Sequence, residues 1–301
     1  MKEAGFLNIN KPSGCTSYDV VLMLRRSLEI EKIGHGGTLD PITTGVLVIG
    51  INDATRLFEY LPKDKTYLAE ITFGISTDTD DMTGNILNRS DYIPMLDEIL
   101  EKIKFFLGKV KQKPPIFSAV KLNGKRAYNL ARRKEISLDD FKEKEVEIYS
   151  IEFLSYDSGT YSSKALRLKI HCSGGTYIRS FARDLGTVLN TPATLSGLVR
   201  IKVGDCFTYE QSVVLDSVNR LALKNYLISP LSALNLKKVY LKPEQVVDIS
   251  CGREIKSDDF CYGAYNPMVK SVLLDNNNKI IAIGKATYNS TIKPEKVFTA
   301  T

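Results

Sequence analysis

The chain has 301 residues, 43% of them apolar and 25% charged, and a net charge of +6, which is the make-up of a soluble globular protein with no low-complexity tract. That length suits one large domain or two ordinary ones, either able to bury a real core. Aliphatic runs such as Val46-Leu47-Val48-Ile49 are far too short to span a bilayer and the N-terminus lacks the apolar core of a signal peptide, so a cytoplasmic protein is expected.

In chain order, Ser17 is placed to cap a predicted helix whose Val20, Val21, Leu24 and Leu28 share one face. The segment that follows, Gly34-His35-Gly36-Gly37-Thr38-Leu39-Asp40-Pro41, crowds a lone carboxylate, a rare histidine and glycines ahead of the apolar residues 46–51. Glycine lets backbone approach a ligand closely, and Pro41 fixes the chain just after Asp40, so the carboxylate is held on a shaped loop. Tyr67, Ala69, Ile71 and Phe73 then alternate with Leu68, Glu70 and Thr72, which is strand periodicity. Residues 93–107 read as a helix through Met95, Ile99, Ile103 and Phe106. Strand patterns return at Val146-Glu147-Ile148-Tyr149 and at Leu166, Leu168 and Ile170. After a Gly174-Gly175 turn, Ile178, Phe181, Ala182, Leu185 and Leu189 mark an amphipathic helix. Strands and helices mix without a regular βαβ rhythm, so the fold class is α+β. Beyond Pro230 the sequence turns to short strands, Val239-Tyr240-Leu241, Ser271–Leu274 and Ile280–Ile283, with Asp275-Asn276-Asn277-Asn278 as the hairpin turn between the last two.

The charge is unevenly spread. Lys102 to Lys134 contains no Asp or Glu, while Lys121, Lys125, Arg126, Arg132 and Arg133 are interleaved with Phe117, Tyr128 and an Asn123-Gly124 turn. A basic run is ordinarily a solvated face; this mixture suits a loop or hairpin that tracks phosphates and stacks on bases, and nucleic acid is the expected partner. Five scattered cysteines, Cys15, Cys172, Cys206, Cys251 and Cys261, include no C-x-x-C pair and read as small buried hydrophobes kept reduced. His171 and Cys172 are neighbours on a strand and point to opposite faces, so they cannot form a thiol–imidazole pair. No metal is expected: Asp78, Asp80, Asp81 and Gly84 resemble a calcium loop only superficially, because Arg89 stands where its last, bidentate glutamate belongs. With no Walker loop and no G-x-G-x-x-G after a strand, no nucleotide cofactor is expected either.

Several residues have two local readings. Asp40 is either a reactive carboxylate or the start of a turn before Pro41. His35 is a ligand contact or a satisfied structural histidine, and Tyr67 a site residue or a core ring in phase with Ile71 and Phe73. Asp81 reads as a site carboxylate or a surface turn before Gly84, Arg179 as a carboxylate partner or a surface arginine near a helix start, and Leu198 as a site position or a core leucine.

Read together, Lys11-Pro12-Ser13-Gly14-Cys15-Thr16-Ser17, the Gly34–Pro41 loop, Thr77-Asp78-Thr79-Asp80-Asp81, Ser118-Ala119-Val120-Lys121, Gly175-Thr176-Tyr177-Ile178-Arg179 and Leu198-Val199-Arg200 resemble, in order, the motifs of the TruB family of bacterial tRNA pseudouridine synthases. The resemblance runs from about residue 5 to residue 230. It implies a catalytic domain over residues 1–230, with a mixed β-sheet flanked by helices and a basic RNA-binding insert at about 118–144. Residues 231–301 resemble a small β-rich PUA-like RNA-binding domain, through Gly252-Arg253-Glu254-Ile255, Ile281–Gly284 and Lys293–Phe298. The implied activity is isomerisation of uridine 55 in the T-loop of tRNA, with Asp40 as nucleophile, Arg179 pairing with it and Tyr67 against the target base. Carried over in the same way, His35 and the insert with Lys121 hold the RNA loop, Asp81 contacts uracil, Tyr177 lines its pocket and Leu198 contacts the substrate through its backbone. The resemblance implies no cofactor, a tRNA T-arm stem-loop as substrate and no obligate protein partner; no metal and no membrane association are expected, and a monomer is the default expectation. The alternative is a non-catalytic RNA-binding protein or tRNA-folding chaperone using the same surface.

Overall fold

Lys65–Phe73 forms the strand its alternation predicts, with Tyr67, Ala69, Ile71 and Phe73 all buried. In the computed structural model, which describes residues 4–122, 124–158, 164–256, 269–289 and 291–298, this strand lies inside a ten-stranded mixed sheet. Asn123 of the expected turn and Cys261 lie outside the described residues. Across the sheet the order is Val213–Val214, Gly5–Lys11, Thr44–Ile51, Ala193–Val203, Lys65–Phe73, Lys164–Cys172, Lys144–Ser158 and Gly108–Gln112. Pairing is parallel between Gly5–Lys11 and Val213–Val214 and between Thr44–Ile51 and Ala193–Val203. From Ala193–Val203 to Gly108–Gln112 it is antiparallel throughout. This is the mixed sheet of an α+β fold, without βαβ repeats.

The chain divides into two compact units. The larger, Leu7–Ile49 with Pro62–Tyr226, carries the helices Ser17–Leu28, Leu96–Ile103 and Ile178–Val188. Helix Ile178–Val188 buries Phe181, Ala182 and Leu185 completely, and Phe106 meets Phe181 edge-on with ring centroids 4.9 Å apart.

Two helix boundaries differ from expectation. The cap of the first helix is Thr16, not Ser17: Thr16 Oγ1 accepts the Asp19 N–H at 3.1 Å and Asp19 Oδ2 accepts the Thr16 N–H at 2.8 Å, a reciprocal capping box that satisfies two orphan donors. Ser17 is the first helical residue and is buried. The segment expected to be helical over 93–107 is helical only from Leu96 to Ile103, with a 3-10 turn over Lys104–Phe106. Pro94 disfavours helical geometry before it, and Met95 is still extended at φ −75° and ψ 154°.

The smaller unit comprises Met1–Phe6, Gly50–Leu61 and Leu227–Thr301, so the chain enters it three times. Its five-stranded sheet runs in the order Lys237–Tyr240, Lys270–Leu274, Ile280–Ala286, Thr291–Val297 and Ile255–Lys256. The core beneath is Leu241, Ile249, Ile255, Leu273, Ile281, Ala282 and Ile292. Asp275 makes the expected hairpin turn by accepting the Asn277 and Lys279 N–H groups, both at 2.8 Å, while Asn278 takes a left-handed φ of 60°.

Candidate active site

Asp40 occupies a loop tied down on both sides. Its carbonyl accepts the Thr43 N–H at 3.0 Å, so Asp40-Pro41-Ile42-Thr43 is the turn that Asp-Pro favours. The turn reading therefore holds for the backbone, and the side chain takes no part in the turn bond. Just before it, the buried Ser17 hydroxyl donates to the Leu39 carbonyl at 3.1 Å and accepts the Leu39 N–H at 2.8 Å. Just after it, the Pro41 carbonyl accepts the Gly14 N–H at 2.9 Å and the Lys11 Nζ at 3.3 Å. Lys11 is fully buried, and its ammonium also donates to the carbonyls of Pro12 at 2.8 Å and Cys15 at 2.7 Å. One lysine thus joins the Lys11–Ser17 motif to the carboxylate loop.

Arg179, from the first turn of helix Ile178–Val188, places Nε 2.9 Å from Asp40 Oδ2. Its other nitrogens donate to the carbonyls of Thr79 at 2.9 Å and Phe117 at 3.1 Å, so the guanidinium is fixed from three directions. Asp81 Oδ2 lies 3.7 Å from Arg179. The remaining Asp81 oxygen accepts the Thr79 hydroxyl at 2.9 Å and the Thr83 N–H at 2.9 Å, so this carboxylate is buried in its own loop rather than exposed on a surface turn. Asp40 keeps 37% of its side chain open to solvent, while Arg179 beside it is almost wholly buried. Burial pushes its carboxyl above the usual carboxylate range; Arg179 opposes this, and the neighbouring Asp81 adds to it.

Tyr67, Leu198 and Arg200 reach one face of the sheet because of a register slip. Ala193–Val203 pairs Leu195 with Ile71, then Gly197 with Glu70, Leu198 with Ala69 and Arg200 with Tyr67. Directly paired residues project to the same side, so this bulge brings Leu198 and Arg200 onto the face of Ala69 and Tyr67. Leu198 is half-buried there, unlike an ordinary core leucine. Arg200 is buried; its Nε donates to the Val46 carbonyl at 2.7 Å, and its terminal nitrogens to those of Gly37 at 3.0 Å and Thr38 at 3.5 Å. Burial raises the pKa of the Tyr67 hydroxyl, and the nearby charge of Arg200 opposes this. Gly45, opposite Arg200, has φ +97°, and any Cβ there would sit 2.3 Å from the Arg200 carbonyl oxygen, so only glycine fits. His35 ends the short strand Ile33–His35; burial, with the nearby charge of Arg200, lowers its pKa, so the ring is neutral at neutral pH. Its Nδ1 is buried with no hydrogen-bond partner among the described residues.

Tyr177 precedes helix Ile178–Val188, and Gln112 grips its backbone twice, at 2.9 Å to the carbonyl and 2.9 Å from the N–H. Its hydroxyl pKa is raised by burial, with Arg179 and Asp40 close enough to act on it. Lys121 stands apart, exposed on the two-stranded hairpin Lys121–Leu122 with Lys125–Arg126. It lines a hollow of about 650 Å³ to which Asp40, Tyr67 and Arg179 contribute nothing. Sequence reasoning missed Lys11, Ser17, Gln112 and Arg200 as supports of the site. For Lys11 the available signal was a lone charge closing the apolar strand Gly5–Lys11; for Arg200 it was a charge facing Tyr67, visible only once the pairing is known. His171, by contrast, pairs with Asp64 at 3.2 Å while Cys172 is buried, as strand alternation requires. Among the described residues no group of three or more His, Cys, Asp or Glu is placed to hold a metal ion, and no helix is long and apolar enough to cross a membrane.

Residues 25–178 match the family model described as TruB family pseudouridylate synthase, N-terminal domain. The chain is 41% identical over 309 residues to the tRNA pseudouridine synthase B of Synechococcus elongatus, covering 100% of both chains. It is also 41% identical over 245 residues to the protein of that name from Borrelia garinii subsp. bavariensis, covering 81% of this chain and 83% of the relative. Among solved structures, a chain in the crystal structure of a Cbf5-Nop10-Gar1 complex superposes with a TM-score of 0.73 at 25% identity, covering 98% of this chain and 85% of that one. The chain belongs to the TruB family of pseudouridylate synthases.

Proposed function

We propose that this protein converts uridine 55 in the T-loop of tRNA to pseudouridine, with Asp40 as the nucleophile. The observation that carries the reading is the Asp40 carboxylate, 2.9 Å from the buried Arg179 Nε yet still 37% open to solvent. The relatives named tRNA pseudouridine synthase B support tRNA as the substrate. In the reaction the N1–C1′ bond breaks, the uracil turns and a C5–C1′ bond forms; the C5 proton leaves and N1 regains one, so nothing is oxidised and no cofactor is consumed. An ionised carboxylate is needed while the base is detached, and Arg179 favours that form against the effect of burial.

Tyr67 and Tyr177 flank the uracil, Asp81 and the Leu198 backbone position it, and the neutral His35 ring contacts the extruded loop. The basic insert with Lys121 grips the stem-loop phosphates, and residues 231–301 act as a PUA-like RNA-binding domain. Extracting the base from its stack costs a few kcal/mol, roughly, which these contacts offset. The protein acts in the cytoplasm as a single chain, without an obligate partner.

The test is tritium release from T-arm stem-loop RNA labelled at uridine C5, without cofactor or metal, beside Asp40→Asn and an RNA lacking the target uridine. Release by the wild type alone, from that uridine alone, is expected. Tight RNA binding with no release would overturn the enzymatic reading and favour a tRNA-folding chaperone.

A further inference from the structure

Helix Ile178–Val188 carries a second arginine, Arg183, one turn beyond Arg179 and on the same side. Arg179 holds the Thr79 carbonyl and the Phe117 carbonyl. Arg183 repeats this a turn further on: it donates to Asp80 Oδ2 at 2.8 Å and to the Lys113 carbonyl at 2.9 Å. The same two segments, Thr79–Asp81 and Lys113–Phe117, are therefore each clamped at two levels, and of the two arginines Arg179 is the one paired with Asp40. Ser180 Oγ also donates to the Lys113 carbonyl, at 2.8 Å, which fastens the root of the basic insert to this helix.

Asp80 is held as firmly from the other side. Its backbone takes a left-handed φ of 60°, which an aspartate tolerates at some cost, and its carbonyl accepts the Leu195 N–H at 3.1 Å. Its side chain is only 13% exposed and that of Arg183 only 18%. The charged groups facing Asp80 are Arg183 and Arg179, which favour its carboxylate, and Asp184, which opposes it; burial outweighs the arginines and pushes its pKa up to about 6. A pair so desolvated adds little to stability, since the loss of hydration consumes most of the attraction. Its effect is on geometry. The residues on either side of Asp80 are Thr79, whose carbonyl Arg179 binds, and Asp81, whose carboxylate lies 3.7 Å from Arg179.

We infer that Asp80 and Arg183 are positioning residues for the reaction: their ion pair sets where Thr79 and Asp81 meet Arg179, and so the direction in which Arg179 presents Asp40. Neither side chain touches the uridine. The inference rests on the role of Asp40 given above.

The test uses the full-length protein and the tritium-release reaction, with kcat and KM measured separately across about pH 5 to pH 8. Asp80→Asn, which keeps the side-chain shape, and Arg183→Gln are expected to lower kcat roughly tenfold to a hundredfold with KM for the RNA changed less than about threefold. Arg183→Lys restores part of the loss, because it keeps the charge beside Asp80 but cannot also hold the Lys113 carbonyl. As the pH falls through about 6 the wild type loses Asp80's charge, a loss that Asp80→Asn cannot undergo, so its acid limb carries one more titrating group than that of Asp80→Asn. Folded variants with wild-type kcat, or variants with lowered melting temperature but unchanged kcat and acid limb, would overturn the inference. Absence of activity in the wild type would instead count against the role of Asp40. Should Arg183→Gln fail to fold, Asp80→Asn still decides.

Discussion

Arg179 Nε lies 2.9 Å from Asp40 Oδ2, but its N–H has no aligned acceptor, so the two side chains are joined by charge more than by a directed hydrogen bond. The other guanidinium nitrogens are committed to the carbonyls of Thr79 and Phe117. Asp40 is thus held near a fixed cation without its lone pairs being tied up.

Arg179→Lys tests this arrangement. Lysine keeps the charge but cannot address Asp40 and two carbonyls at once, so kcat is expected to fall by roughly a hundredfold and stability by about 1–3 kcal/mol as buried acceptors lose their donors. Tritium release and urea unfolding measure the two losses separately; an unchanged kcat would mean that charge alone suffices.

Asp40→Asn carries a prediction about stability as well as activity. The folded state raises the pKa of this acid, so it holds the proton more tightly than the unfolded chain does. Stability attributable to Asp40 is present at low pH and is lost as pH rises from the usual carboxylate value through the raised one. Removing the charge is therefore expected to raise the melting temperature at neutral pH by up to about 2 °C, with the difference vanishing in acid. Activity falls roughly a thousandfold or more. A variant that melts lower than wild type at neutral pH would contradict this sign.

Lys11→Met keeps much of the side-chain volume but leaves the carbonyls of Pro12, Cys15 and Pro41 without their ammonium donor. A loss of about 3 kcal/mol in unfolding free energy is expected, seen as a lower urea midpoint at unchanged slope.

Lys121→Ala and Lys125→Ala separate grip from chemistry. Both lysines are exposed on their hairpin, so each removal is expected to flatten the plot of log affinity against log salt by about one unit while kcat at saturating RNA stays within about twofold. A fall in kcat at saturation would place the hairpin in the chemistry.

Much of the fold was legible locally. Alternation at Tyr67–Phe73 and helical spacing from Ile178 to Leu185 depend on each segment's own burial, and both elements form where that pattern puts them. The meeting of Asp40 with Arg179 was not legible from spacing; it came from the family resemblance, because no local rule links residues so far apart. Two features escaped both routes. The slip between Leu195 and Gly197 arises from pairing with Lys65–Phe73, so nothing within Ala193–Val203 announces which way Leu198 and Arg200 face. Thr16 displaced Ser17 as the helix cap because Asp19 completes the reciprocal bonds, and that freed the Ser17 hydroxyl for Leu39.

The loop around Asp40 has a mechanical consequence. Leu39 is bonded through both its N–H and its carbonyl, Pro41 accepts from Gly14 and Lys11, and Arg200 occupies the carbonyls of Gly37 and Thr38. The Leu39 amide should exchange its hydrogen as slowly as those of the sheet, although no strand or helix contains it. A stretch fastened in this way is a mould rather than a hinge. Under the function proposed for Asp40, the deformation needed to bring sugar and carboxylate together then falls on the RNA loop rather than on the protein.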